Sequence, residues 1–120
     1  SMAHGLSALY DTPHGVACAI ILPTGLEYNK PVAGKRYRAI GKAMQVPGID
    51  NMTDEEAADA TIAAVKQLSL DVGIPQNLNG ILKEEDVAFL SQSAYADACC
   101  PGNPRDTSEE EIAQLYKSLL

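Results

Sequence analysis

The sequence predicts an all-α fold, a bundle of about five to six helices, on three observations. Apolar residues recur at helical spacing along almost the whole chain. Two capping boxes, Thr53-Asp54-Glu55-Glu56 and Ser108-Glu109-Glu110-Glu111, mark helix starts. No segment alternates between apolar and polar for long enough to be a strand. A length of 120 residues, 46% of them hydrophobic, fits one domain whose core is built mainly from Ala, Leu, Ile and Val.

The elements follow in order. Helical sequence at the start is broken at Thr12-Pro13, because proline disfavours helical geometry at the residue before it. Thr12 then reads as an N-cap and Pro13 as the first helical residue, which places His14 in the first turn of a helix over 13–29. Val16, Ile20, Ile21, Leu22 and Tyr28 mark that helix, and Pro31 and Gly34 are its stop signals. A second helix is expected over about 34–45, ending at Pro47-Gly48. The box at Thr53 opens a long helix through Ile62, Val65, Leu68 and Val72 to Gly73, with Pro75 behind it. Lys83-Glu84-Glu85-Asp86 starts another, through Val87 and Leu90 to about Ala98, with its acidic residues at the positive end of the dipole. The box at Ser108 opens the terminal helix through Ile112 and Leu115 to Leu119.

Composition narrows the function classes. The net charge is −7, and the basic run Lys35-Arg36-Tyr37-Arg38 reads as a solvated helix face, so neither nucleic acid nor an anionic membrane is an expected partner. Five Tyr, one Phe and no Trp leave no stacking platform for single-stranded nucleic acid. There is no run of apolar residues long enough for a membrane span and no secretory leader pattern. Cys18, Cys99 and Cys100 form no spaced zinc or redox motif, and their odd number argues against a disulfide framework. A reducing, cytoplasmic location is expected on that ground.

The candidate chemistry lies at the only two histidines, His4 and His14. The break at Thr12-Pro13 lets both rings turn toward one cavity, and a helix N-terminus favours the neutral, metal-binding imidazole at His14. From spacing alone the pair is open to two readings, as metal ligands or as capping and hydrogen-bonding histidines, since two imidazoles fall short of the three or more protein ligands of a catalytic metal. Asp11, three residues before His14, reads as a capping residue. Arg105 is expected to pair with Asp97 or Asp106.

Read as a string, Met2-Ala3-His4-Gly5-Leu6 through Tyr10-Asp11-Thr12-Pro13-His14-Gly15-Val16-Ala17 resembles the histidine signature of the iron-containing alcohol dehydrogenases. The resemblance continues through Ala19-Ile20-Ile21-Leu22-Pro23, Tyr28-Asn29, Lys35-Arg36-Tyr37-Arg38-Ala39-Ile40, Asp71-Val72-Gly73-Ile74-Pro75 and Gly102-Asn103-Pro104-Arg105, essentially the whole chain. It implies the C-terminal helical domain, of dehydroquinate synthase-like fold, of a two-domain enzyme whose cofactor-binding α/β domain would precede Ser1. That enzyme would interconvert small alcohols and aldehydes, such as 1,2-propanediol and lactaldehyde, with NAD and a bound Fe²⁺ or Zn²⁺. The metal would be held by one aspartate and three histidines, of which His14 matches the last; the other three would lie upstream, and Ser1-Met2-Ala3-His4 would be interior sequence. His4 matches a histidine placed near nicotinamide and substrate, with a proton-relay role. Cys99 matches a cysteine by the substrate pocket, and Tyr10 is a further candidate there; the alternative for Cys99 is a buried thiol packed as a small hydrophobe.

On this reading the 120 residues alone bind neither metal nor NAD and are inactive, since one imidazole is a poor site and no glycine-rich phosphate loop is present. A homo-oligomer is expected, because a domain missing its neighbours exposes apolar surface. The alternative from another class is a stand-alone helical binding or assembly module without catalysis.

Overall fold

The computed structural model describes residues 1–120 and contains six α-helices and no strand, as the periodicity predicts. They are α1 (Met2–Tyr10), α2 (His14–Ala33), α3 (Tyr37–Ala43), α4 (Asp54–Asp71), α5 (Val87–Ala96) and α6 (Glu109–Ser118), with single 3₁₀ turns between several of them.

Two apolar clusters share α2. The larger joins α1, the start of α2, α5 and α6 through Leu6, Ile20, Leu90, Ile112 and Tyr116, with Leu78 and Leu82 from the irregular segment before α5. The smaller packs Tyr37 of α3 against Ala58 and Ile62 of α4, under Leu26 of α2. The molecule is therefore elongated, 45 × 31 × 20 Å. Only 21 of 120 residues are buried, and Leu22, Val32, Leu68, Leu70, Val72 and Phe89 stay exposed, so much apolar surface faces outward.

Capping chemistry sets the starts of α4 and α6. Thr53 accepts from the Glu56 amide at 3.2 Å while the Glu56 carboxylate takes the Thr53 amide at 2.9 Å, the full reciprocal box. At α6 only half of the expected box forms: Ser108 accepts from the Glu111 amide at 3.2 Å, but the Glu111 carboxylate accepts from the Tyr28 hydroxyl of α2 at 2.6 Å. A tertiary donor replaces the local one.

Other boundaries shift for similar reasons. The N-cap of α2 is Pro13 rather than Thr12, and Asp11 caps no helix N-terminus; it is the left-handed residue, φ 55°, that ends α1. The helix α2 runs through Pro31 to Ala33, because a proline near the end removes one donor while Gly34 N–H still bonds Lys30 O and Tyr37 bonds Leu26 O at 2.8 Å. Residues 34–36 form a 3₁₀ turn, so the second expected helix is α only over Tyr37–Ala43. The basic run at 35–38 is not simply solvated: Tyr37 is buried, and Arg38 donates to Ile49 O, to Met52 O at 2.8 Å and to Asp54 at 3.1 Å.

Close approach of α3 to α4 depends on Gly41. A Cβ there would stand 2.2 Å from Ile49 Cδ1 and 2.4 Å from Thr61 Oγ1. The buried Thr61 hydroxyl lies 2.8 Å from Ala57 O and 3.0 Å from Tyr37 O, so the same contact also satisfies the polar groups at the crossing.

Candidate functional site

The site assembles where the break between α1 and α2 meets the end of α5. His4 lies on α1 and His14 is the first residue of α2; the sharp turn at Asp11-Thr12-Pro13 folds one helix back on the other. Their rings stack, centroids 5.4 Å apart and planes 18° apart. The sequence expectation that the break brings both imidazoles together thus corresponds to a face-to-face pair at the molecular surface.

Asp97 follows α5 and turns the chain into extended geometry, ending the helix two residues before the expected Ala98. Its Oδ1 accepts from the Cys99 amide at 2.8 Å, an Asx-type turn. Its Oδ2 lies 2.7 Å from His4 Nδ1. The Cys99 amide first, and His4 second, hold the Asp97 carboxyl down at about 2. Being ionised, the carboxylate can only accept, so Nδ1 of His4 carries the proton and Nε2 is the nitrogen left for exchange. The His4 side chain is 48% exposed.

Asp97 pairs with His4 and not, as the sequence suggested for it or Asp106, with Arg105. The local signal was an Asp two residues before Cys99 at a helix end; its approach to His4 has none. Arg105 instead stacks on Tyr28, its guanidinium 4.1 Å from the ring centroid, and donates to Tyr28 O at 2.7 Å. Asn29 and Asn103 exchange two 2.8 Å amide hydrogen bonds beside it. These contacts tie the segment between α5 and α6 to α2.

The other candidates separate. His14 is exposed and its Nε2 is 3.5 Å from Cys18 Sγ. Cys99 is exposed, not a buried hydrophobe, and with Cys18, Ile21, Leu26 and Leu115 it lines a largely apolar groove of about 470 Å³ between α2 and the α5–α6 connection. Tyr10 does not line this groove. Its hydroxyl donates to Asp86 at 2.6 Å and accepts from Lys83 N–H at 3.2 Å, a latch between α1 and the start of α5; burial first, then the Asp86 contact, raises its pKa.

The helical fold around this pair is that of alcohol dehydrogenases of known structure. It superposes on a crystal structure of 1,3-propanediol oxidoreductase with a TM-score of 0.94 at 38% identity, covering 99% of this chain and 31% of that one. An alcohol dehydrogenase from Oenococcus oeni gives 0.92 at 37% identity, with the same coverage. The chain belongs to the Fe-containing alcohol dehydrogenase family, whose C-terminal family model matches residues 1–120. It is 46% identical over 116 residues to lactaldehyde reductase of Escherichia coli K12, and 38% identical over 121 residues to 1,3-propanediol dehydrogenase of Klebsiella pneumoniae. The chain spans only 30% and 31% of the length of those two relatives.

For a metal held by imidazole and carboxylate, the chain's own residues offer His14 as an exposed nitrogen donor. That fits one position of a donor set, and residues outside 1–120 would have to complete it.

Proposed function

We propose that the chain is the C-terminal, metal-side domain of an NAD-dependent alcohol dehydrogenase acting on small alcohols and aldehydes, of the lactaldehyde/1,2-propanediol kind, and that the domain by itself is inactive. One observation supports this above the rest: a histidine oriented by an ionised aspartate stacks on the histidine that matches a family metal ligand. A divalent ion held in part by His14 would supply Lewis-acid polarisation of the alcohol or carbonyl oxygen, and a bound nicotinamide would supply the hydride chemistry.

The chain's own residues supply position and proton handling. His14 presents a ring nitrogen at the start of α2. His4 accepts the alcohol proton on Nε2, since Asp97 holds Nδ1–H, and the imidazolium so formed is stabilised by the Asp97 charge. Partial exposure of His4 lets the proton pass on to water. Cys99 and the groove behind it would border the apolar part of the substrate, while Tyr10 acts as a latch at a distance. The exposed apolar side chains on α2, α4 and α5 support a homo-oligomer or packing against further chain, and the three free thiols support a cytoplasmic setting. No helix is long and apolar enough to cross a membrane.

The test is expression of the longer polypeptide that contains residues 1–120, with NAD-dependent oxidation of 1,2-propanediol and metal content measured together. NAD-dependent activity together with a His14-dependent share of the bound metal, both lost in His14→Ala, is the expected result. A metal-free, inactive product would overturn the proposal and favour the helical binding module.

A further inference from the structure

A second set of metal donors lies next to the histidine pair and does not include His14. A ring nitrogen of His4, an Asp97 carboxylate oxygen and Cys99 Sγ all fall within 4.8 Å of one another. They come from two separate elements, α1 and the turn after α5, and two of the three residues are exposed, so an ion reaches them without unfolding.

We propose that His4, Asp97 and Cys99 form a binding site for a thiophilic divalent ion of the Zn²⁺ class. The chemistry of the donors selects this class. One thiolate, one imidazole and one carboxylate suit a borderline-soft ion and disfavour Mg²⁺ and Ca²⁺, which take oxygen ligands. Three protein ligands leave a fourth position for water.

The geometry is within reach of a tetrahedron. Ligand bonds of about 2.0–2.3 Å place tetrahedral donors roughly 3.3–3.8 Å apart. The present 2.7 Å between His4 and Asp97 must open, and the pairs with Cys99, all within 4.8 Å, must settle into that range, which side-chain rotation provides. The Asp97–Cys99 turn holds two ligands in one short loop, since Oδ1 already accepts from the Cys99 amide. An ion here takes up Nδ1 of His4 and displaces its proton, so it competes directly with the orientation of His4 by Asp97. This site would therefore inhibit any reaction that uses His4 as a relay, while its existence is independent of that reaction.

Co²⁺ is the probe, because thiolate ligation gives an intense ultraviolet charge-transfer band that imidazole and carboxylate ligands do not. The protein titrated with Co²⁺ under reducing conditions is expected to develop this band at one ion per chain, and Zn²⁺ to bleach it. Cys99→Ser should abolish the band and His4→Gln should weaken Co²⁺ binding at least tenfold, whereas His14→Ala should leave the band intact. Circular dichroism of each variant separates loss of ligand from loss of fold; all three substituted side chains are exposed. A band that survives Cys99→Ser, or that disappears in folded His14→Ala, overturns the assignment, as does the absence of any band in the folded protein. Failure of the dehydrogenase reading would show in turnover and His14-dependent metal content, and would leave this result unchanged.

Discussion

Asp97 holds His4 at 2.7 Å across 93 positions of sequence, and its other oxygen is fixed by the Cys99 amide. The carboxyl titrates below its unfolded value of about 3.9, near 2. A lowered folded-state value means that this contact stabilises the fold above the unfolded pKa and is lost as pH falls toward 2. Acid unfolding followed by circular dichroism should therefore show a shallower limb between about pH 4 and 2 in Asp97→Asn. An unchanged limb would show that the contact does not form in solution.

In an active parent enzyme, Asp97→Asn should lower kcat more than it raises KM. The amide can present either hydrogen or oxygen to Nδ1, so the ring loses its preferred tautomer and the imidazolium its counter-charge. The pH profile of kcat is the discriminating readout, since a merely structural role would scale the profile without moving it.

Gly41→Ala should destabilise the domain by about 1–3 kcal/mol, because the new methyl group meets Ile49 and Thr61 well inside van der Waals contact. Gly15→Ala, in the first turn of α2 with nothing within 4 Å, is the control and should be neutral or stabilising. Urea midpoints of the two variants check the pair.

Tyr116 is fully buried in the main core and its hydroxyl donates to Met2 O at 2.7 Å, joining α6 to α1. Burial, with a smaller push from Tyr10, raises its pKa far above the ordinary tyrosine value. Stability from a raised acid is present below the unfolded value of about 10 and lost above it. Tyr116→Phe should cost about 1 kcal/mol at neutral pH and flatten the alkaline limb of the stability curve.

Thr53→Ala should cost about 1 kcal/mol, and the loss should appear as faster amide exchange in the first turn of α4. At α6, Tyr28→Phe should loosen the connection to α5 without removing the Ser108 cap, since Glu111 N–H bonds Ser108 and not Tyr28.

Local chemistry in the sequence determined the all-α class, the start of α4 from Thr53 and Glu56, the break at Thr12-Pro13, and the family through the string around His4 and His14. Helical periodicity and caps act within a few residues, so they are legible without a fold. What only the tertiary structure decided acts between distant elements: Asp97 on His4, Arg105 on Tyr28, Glu111 turned from its own cap to α2, and Tyr10 drawn to Asp86 rather than to the groove. A charged or hydroxyl side chain satisfies its hydrogen bonds with whatever donor packing brings near, and spacing along the chain carries no record of that neighbour.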